Sequence, residues 1–533
     1  MEKRKNIILT GFMGTGKTTI GRKIAEKLNM YLVDMDLLIE ETYQKPISAI
    51  FCDDGEAVFR RYENEVCLTL SQIENAVIAT GGGTYLSAQN KSLLERNGLS
   101  FCLTCQPDEL LTRLKGNEQR PLLMGDNPQQ TIEKLLLERK EIYDSVEWQI
   151  DTTSRTVEEL STQIISQASC YSMVVDSSAA HYPITIGFES LSNIGSFLGY
   201  QHRVPENSRV AVITNPIVAS FYAKTVMDSL RDNGYLPVLI GIEDGEKSKT
   251  LDTVKCIYQQ LLQHGIERSD TVLALGGGVT GDIAGFAAAT YYRGVRFIQV
   301  PTTLLAMVDS SIGGKTGVDL AEGKNLVGAF KQPDLVFIDL AVLTTLPQVE
   351  LRCGMAEVIK HAIIGDTGLF ALFEEKPGRY DLWMDALRSV PWLKRAIAVK
   401  KHIVEEDPYE NGVRASLNIG HTLGHALETL SGFSVKHGEG VSMGMVAAAR
   451  LAQRKGVASS IVVERIESLL AAWDLPVRIP KTDVAAIWEK MMLDKKKKAQ
   501  QIRWVLPKDI GEVEYNHVIE REEVFEVLNG MIE

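Results

Sequence analysis

An apolar run, Asn6-Ile-Ile-Leu-Thr10, leads straight into Gly11-Phe-Met-Gly14-Thr15-Gly16-Lys17-Thr18-Thr19, and helical periodicity follows from Thr18 to Leu28. In that order, strand then glycine loop then helix, a Gly-x-x-x-x-Gly-Lys-Thr segment curls its backbone N–H groups around phosphate oxygens at a helix N-terminus. The motif restricts the fold sharply, because the loop needs a strand to launch it and a helix to meet the phosphate. A second set of polar residues lies far downstream: Gly276-Gly277-Gly278, Asn418-Ile-Gly-His421-Thr-Leu-Gly-His425 and His437-Gly-Glu439. A triphosphate site and a dinucleotide-plus-metal site do not merge readily into one centre. The chain reads as two fused enzymes.

Its length of 533 residues permits this, at roughly one domain per 150 residues. The 45% hydrophobic and 24% charged shares suffice to fill several cores. A net charge of -12 argues against a nucleic-acid groove. No stretch approaches the ~20 apolar residues of a membrane span, and the run after Met-Glu-Lys-Arg-Lys is too short for a signal segment. A cytoplasmic protein with neither nucleic-acid nor membrane partners is expected. Cys52, Cys67, Cys102, Cys105, Cys170, Cys256 and Cys353 form an odd, scattered set that suits reduced thiols. Cys102-Leu-Thr-Cys105 lacks a second pair to complete a zinc ribbon, and Phe101-Cys-Leu reads as a buried strand.

Alternating strands and helices predict an α/β architecture. Residues 1–168 form the phosphate-loop unit, with a parallel sheet and strands at Tyr31–Val33, Ala76–Ala79 and Leu99–Leu103. Residues 169–182, rich in small residues, are expected to be a linker. Residues 183–342 form a Rossmann-like α/β part, with strands at Val210–Ile213, Val238–Ile240, Thr271–Leu275, Phe297–Val300 and Leu335–Ile338. Residues 343–533 are mostly helical with one late apolar run, Arg503–Leu506, and the cleft is expected between these two halves. The lysine run from Lys495 to Lys498 reads by default as a solvated loop.

In the first site, Lys17 is expected to neutralise the β/γ-phosphates of a nucleoside triphosphate and Thr18 to ligate Mg²⁺. Downstream, Asp34 and Asp36 end the second strand on alternating faces. Then come Phe59-Arg60-Arg61-Tyr62-Glu63, Thr80-Gly81-Gly82-Gly83, Gln119-Arg120-Pro121-Leu122 and Glu138-Arg139-Lys140. Over residues 6 to about 168 this set resembles the shikimate kinases. The resemblance implies that Gly14, Thr15, Gly16, Lys17, Thr18 and Thr19 hold ATP, with Asp34 beside the Mg²⁺. It implies that Asp36 binds the substrate hydroxyls and helps deprotonate the attacking one. Arg60 and Arg139 then clamp the carboxylate, for which a planar guanidinium is well suited. Gly82 offers a backbone N–H, and Arg120 rides a lid onto the phosphates. Lys17, Asp36 and Arg120 are the catalytic set. A catalytically dead, regulatory kinase-like domain is the alternative, and intact Lys17, Thr18, Asp36 and Arg120 speak against it.

In the second site, Asp244-Gly245-Glu246-Lys247-Ser-Lys249 and Gly276-Gly-Gly278-Val279-Thr280-Gly281-Asp282 have the character of turns and caps around a dinucleotide. The spacing is not G-x-G-x-x-G, so by itself it identifies no nicotinamide cofactor. Glu357, His421, His425 and His437 can supply a metal site. Spacing alone makes both His421 and His425 ligands, one helical turn apart. Lys315 and Lys324 stand in glycine-rich surroundings, Gly313-Gly-Lys315-Thr-Gly and Gly323-Lys324-Asn325-Leu-Val-Gly328.

From about residue 184 to 515 the chain is similar to 3-dehydroquinate synthase. The likeness rests on Tyr292-Arg293-Gly294, Pro301-Thr302-Thr303, Asp309-Ser-Ser-Ile-Gly-Gly-Lys315, Ala356-Glu357-Val-Ile-Lys360 and the two histidine motifs. It implies Zn²⁺ (or Co²⁺) on Glu357, His421 and His437, with His425 contacting substrate and managing protons instead. It implies NAD⁺ against Asp244, Gly245, Glu246, Lys247, Lys249, Gly278, Val279, Thr280, Gly281 and Asp282. Further nucleotide contacts fall to Thr302, Thr303, Lys315, Lys324, Val342, Leu343, Thr344 and Thr345. Substrate contacts fall to Arg293, Asp309, Lys315, Asn325, Lys360, Lys400, Arg414, Asn418 and His425, and to Lys496 in preference to Lys495. Lys315, Lys360 and His425 are the catalytic residues. The implied reaction cyclises 3-deoxy-arabino-heptulosonate 7-phosphate to 3-dehydroquinate with release of phosphate, and NAD⁺ is regenerated within each turnover. A homodimer through this part is implied, with Arg293 reaching the neighbour's site. The alternatives are another sugar-phosphate cyclase or a polyol dehydrogenase. Lys400, Arg414 and Asn418 favour a substrate bearing a carboxylate.

Overall fold

The structure, a computed structural model, describes residues 6–114, 128–146, 148–168, 170–199, 204–205, 207–320, 323–375, 378, 386–432, 434–495 and 502–533. It divides into two compact units, Met1–Ser169 and Cys170–Glu533.

In the first unit β1 (Asn6–Gly11), β2 (Tyr31–Asp34), β3 (Ala76–Ala79), β4 (Gly98–Thr104) and β5 (Trp148–Asp151) make a parallel sheet in the order β2-β3-β1-β4-β5. Helices cover both faces, so β1 and β3 are buried along their whole length. Ile7 and Leu9 pack with Ile20 and Ile24 of helix Lys17–Leu28 and with Leu160 and Ile164. Ile8 points the other way, onto Met35, Phe59 and Cys102. Burial pushes the Cys102 thiol up to about 12, and Cys102 and Cys105 are both free, as suits a core residue beside a loop. Strand β5 escapes sequence reading because Trp-Gln-Ile-Asp is short and half polar. The Asp34/Asp36 expectation needs correction: β2 stops at Asp34, whose carboxylate caps the next helix by accepting from Asp36 N and Leu37 N. Asp36 therefore stands in a first helical turn, where cap geometry and not strand alternation sets its direction.

In the second unit the strands are β6 (Tyr171–Ser177), β7 (Ala180–Gly187), β8 (Arg209–Thr214), β9 (Leu236–Gly241), β10 (Thr271–Gly276) and β11 (Arg296–Pro301). They continue with β12 (Lys315–Leu320), β13 (Gly323–Phe330), β14 (Leu335–Asp339), β15 (Arg503–Asp509) and β16 (Glu512–Val518). Seven form one sheet, ordered β6-β7-β14-β11-β10-β8-β9. Its neighbours are parallel except β6, which runs antiparallel to β7. Residues 169–182, expected as a linker, thus supply β6 and the start of β7. In β6 only Val175 is buried, so this edge strand shows little apolar alternation. The lysine-and-glycine segments around Lys315 and Lys324 are the hairpin β12–β13. After β14 the chain is mostly helical, with helices Gln348–Gly365, Ala386–Glu406, His421–Leu430 and His437–Arg454, and β15–β16 form a second hairpin. Among the described residues no helix is long and apolar enough to cross a membrane.

Candidate active sites

The phosphate loop turns through Gly14 (φ 82) and Gly16 (φ 92), left-handed values that a side chain resists. Lys17 Nζ donates to the carbonyls of Gly11 and Phe12, both at 2.9 Å, so the ammonium is folded over the loop. Thr15 is buried with its hydroxyl on Phe12 O, and Thr19 faces outward from the first helical turn. Thr18 Oγ1 donates to Asp34 Oδ2 at 2.6 Å, joining the two residues expected around Mg²⁺. The Gly81–Gly83 turn gathers the rest. A Cβ on Gly81 would stand 2.9 Å from Asp36 Oδ1, and one on Gly83 would stand 2.8 Å from Arg60 Nη1. Arg139 Nη1 donates to Gly82 O at 3.0 Å. Asp36, Arg60, Gly82 and Arg139 therefore gather around this one turn. Two supporting residues had no role assigned from sequence, Glu63 appearing only as the end of its motif and Tyr143 not at all. Buried Glu63 accepts from Arg60 Nη1 at 3.0 Å and from Thr84 Oγ1 at 2.7 Å. Tyr143 OH shares Gly82 O at 2.6 Å. Arg120 lies outside the described residues, as does Lys496 of the second site.

In the second unit Glu357 (fully buried), His421 and His437 come from three different helices and meet. Glu357 Oε1 makes no hydrogen bond, and His421 Nε2 lies 3.7 Å and His437 Nε2 3.4 Å from it. An orphaned carboxylate oxygen facing two imidazole nitrogens is a donor set that fits a divalent ion of the zinc type. His425, which spacing alone would make a ligand, is exposed one turn along. Its ring lies 5.3 Å from His421 and 6.0 Å from His437. His425 and Glu428 also group with His437, and Asp309 and His361 with Glu357. Those carboxylates are already engaged: Glu428 holds His437 Nδ1 at 2.9 Å, and Asp309 pairs with Lys400. Burial alone would lower the His437 imidazole, yet Glu357 and Glu428 outweigh it and raise it to about 10.

Beside it lies a buried charge network. Asp309 sits in a π-helical turn, Ala306–Ser310, a distortion often found at functional sites. Burial pushes its carboxyl up, but Lys360 and Lys400 prevail and hold it well below the usual range. Lys360, 1% exposed, pairs with Glu357 and lies 4.0 Å from Asp309. Lys315 Nζ reaches Glu410 Oε2 at 2.5 Å and Asn418 Nδ2 reaches Glu410 Oε1 at 3.2 Å. Buried Arg414 donates to Gly313 O at 3.0 Å. Lys315, Lys360, Lys400, Arg414 and Asn418 so converge, together with Glu410, which sequence reading missed. Glu410 holds φ 61 on a loop whose N–H groups bond Asp407.

The expected nucleotide residues follow directly on parallel strands: Asp244 after β9, Gly278 after β10, Thr302 after β11 and Val342 after β14. All four strand ends lie on one edge, where α/β sheets bind ligands. Helix Gly278–Thr290 begins with no side-chain cap, leaving its first N–H groups for an anion. Thr302 N donates to Gly276 O at 2.9 Å, and Thr303 packs against Gly277. Buried Lys249 bridges Asp282 Oδ2 and Asn325 Oδ1, each at 2.6 Å, tying this edge to hairpin β12–β13. Asn215 (2.7 Å from Asp244) and Tyr222 (3.1 Å from Val342 O) belong here too. An Asn directly after β8 was a legible signal; Tyr222 offered none. Tyr292 and Arg293 both adopt positive φ (50 and 62), and Tyr292 is exposed.

These features define a two-part enzyme: a phosphate-loop kinase, then an α/β-plus-helical enzyme built for a dinucleotide and a divalent ion. Residues 13–169 match the family model for shikimate kinase, and residues 239–353 and 354–497 match those for the N- and C-terminal parts of 3-dehydroquinate synthase. The 3-dehydroquinate synthase of Pelobacter propionicus is 49% identical over 307 residues, 57% of this chain and 85% of that one. A 2-epi-5-epi-valiolone synthase from Streptomyces hygroscopicus, solved with NAD⁺ and Zn²⁺, superposes with a TM-score of 0.60 at 26% identity, covering 66% of this chain and 97% of its own. A 2-deoxy-scyllo-inosose synthase, solved with carbaglucose-6-phosphate, NAD⁺ and Co²⁺, gives 0.62 at 26% identity, covering 68% and 100%. The chain belongs to the 3-dehydroquinate synthase family and carries a shikimate kinase domain ahead of it, a bifunctional shikimate-pathway enzyme.

Proposed function

We propose that the first unit transfers the γ-phosphoryl of Mg²⁺-bound ATP to the 3-hydroxyl of shikimate. Asp36 takes the hydroxyl proton as the oxygen–phosphorus bond forms and ADP leaves. Lys17 swings from the Gly11 and Phe12 carbonyls onto the phosphates, and Thr18 and Asp34 separate to admit Mg²⁺. Arg60, anchored by Glu63, and Arg139 clamp the carboxylate. The work is alignment and charge neutralisation, as phosphoryl transfer requires. The 2.6 Å Thr18–Asp34 contact beside the Gly81–Gly83 turn supports this most directly.

The second unit, in this proposal, cyclises 3-deoxy-arabino-heptulosonate 7-phosphate to 3-dehydroquinate. NAD⁺, when bound, supplies a reversible hydride acceptor, and a Zn²⁺ or Co²⁺ ion held by Glu357, His421 and His437 supplies Lewis acidity. The strand-end loops and the open N-terminus of helix Gly278–Thr290 hold the nucleotide. Lys400, Arg414 and Asn418 hold the substrate carboxylate, and Lys315, Lys360, Asn325 and Asp309 its hydroxyls. His425, exposed beside His421, moves protons, and Glu410 holds Lys315 and Asn418 in place. Valiolone and inosose synthases share the fold, so the fold alone leaves the substrate open; the carboxylate-directed residues favour dehydroquinate. A cytoplasmic homodimer in which Arg293 serves the neighbour's site completes the reading. The observation that carries it is the convergence of Glu357 Oε1 with the two imidazoles. The test is a two-substrate assay of the purified protein with metal content measured. Phosphate release from the heptulosonate without bound metal, or no shikimate phosphorylation, would overturn it.

A further inference from the structure

Glu428 lies on helix His421–Leu430 with 3% of its surface exposed, and its two oxygens face two different parts of the unit. Oε1 meets His437 Nδ1 at 2.9 Å. Oε2 takes Lys324 Nζ at 3.2 Å. Lys324 belongs to β13 in the nucleotide-binding half, and it also lies 3.4 Å from Glu246 Oε1, in the turn after β9. The line Glu246–Lys324–Glu428–His437 therefore runs from the nucleotide edge to the ion site without a break.

Each link has a physical consequence. An ionised carboxylate only accepts, so the Nδ1 that meets Glu428 is a protonated nitrogen, and Nε2, 3.4 Å from Glu357 Oε1, is the nitrogen left to give up its proton to an ion. A carboxylate behind a histidine ligand fixes its tautomer and strengthens it as a donor. A lysine on the same carboxylate weakens that effect, because the ammonium neutralises part of the charge. A dinucleotide competes for both ends of the lysine's pairing: its pyrophosphate attracts Lys324, and a ribose hydroxyl attracts Glu246.

We propose that Glu428 is a positioning residue that links nucleotide binding to metal binding: NAD⁺ draws Lys324 off Glu428, and the released carboxylate holds His437 as a stronger ligand. This rests on the reading above, in which NAD⁺ meets Glu246 and Lys324 and the ion meets His437. Linkage is reciprocal, so the ion must tighten NAD⁺ by the same factor.

The test uses metal-stripped full-length protein titrated with Co²⁺, followed by visible absorption, with and without saturating NAD⁺. The wild type should bind Co²⁺ about fivefold or more tighter with NAD⁺, and NAD⁺ should tighten equally with Co²⁺. Glu428→Gln should lose about tenfold in Co²⁺ affinity and show no linkage. Lys324→Met leaves Glu428 and His437 in place. It should bind Co²⁺ without NAD⁺ at least as tightly as the wild type, since a cation near the site is gone, and should also show no linkage. Co²⁺ binding by the wild type that ignores NAD⁺, or linkage that survives in either folded variant, would overturn the inference alone. No Co²⁺ binding by the wild type would overturn the metal assignment and the inference with it.

Discussion

Gly444 packs directly against the carbonyl of Gly420, with no room for a side chain between them. The same two helices meet again at Gly424 and Gly440, where a Cβ on Gly424 would stand 2.9 Å from the Gly440 carbonyl carbon. Helices His421–Leu430 and His437–Arg454 thus touch backbone to backbone, which brings the His421 and His437 rings to 5.2 Å. Gly444→Ala must push them apart. An overpacked core contact costs about 1–3 kcal/mol. The variant is expected to melt several degrees lower and to bind Co²⁺ at least tenfold more weakly, while shikimate phosphorylation persists. Unchanged metal affinity in calorimetry would show that the glycine contact does not set the ligand geometry.

Lys17→Ala is expected to reduce shikimate phosphorylation by about 100-fold or more and to leave heptulosonate cyclisation intact. Every phosphate-loop residue lies in the unit Met1–Ser169, and every expected cyclase residue in Cys170–Glu533. A folded Lys17→Ala protein that no longer releases phosphate from the heptulosonate would contradict separable sites.

Chelation should abolish cyclisation, and Zn²⁺ or Co²⁺ should restore it; the kinase assay needs Mg²⁺ resupplied after the chelator. His437→Ala removes one of the two imidazoles that face Glu357 Oε1. It is expected to purify without stoichiometric metal and without cyclase activity. Full metal content by elemental analysis, together with full activity, would dispose of the ligand assignment.

Arg293 is tested by complementation. Its positive φ (62) follows that of Tyr292 (50), a strained pair that needs a reason. In the homodimer proposed above, a guanidinium reaching the neighbour's substrate phosphate would provide one. Mixing Arg293→Ala with His425→Ala homodimers under subunit exchange creates one site with both residues intact, so cyclase activity should partly return. No return, with exchange verified by tagged subunits, would confine Arg293 to its own subunit or remove it from the site.

Much of the fold was legible because buried parallel strands announce themselves. Val210–Ile213, Val272–Leu275 and Leu335–Ile338 are unbroken apolar runs, and each lies within a central strand. Strands paired in a hairpin or at the sheet edge beside the joint were harder to read. Val174 in β6 stays exposed beside buried Val175, and Leu320 and Phe330 in hairpin β12–β13 are exposed too. Pairing partners, not periodicity, make these segments strands.

The sequence alone determined the chemistry that depends on local order: a phosphate loop between strand and helix, histidines one turn apart, lysines next to glycines. Those are short-range patterns, and short-range geometry enforces them. Only the tertiary structure decided which groups meet. Spacing offered His425 as the partner of His421, yet Glu357, distant in the chain, supplies the facing carboxylate. Nothing around Glu410, Glu428 or Tyr143 marks them in sequence, and Glu63, though part of the Phe59–Glu63 motif, has no task legible there. Each acquires its task from a residue on another element: Lys315, His437, Gly82 and Thr84. A buried polar group must find a partner wherever folding delivers one, and that delivery depends on packing that no linear spacing encodes.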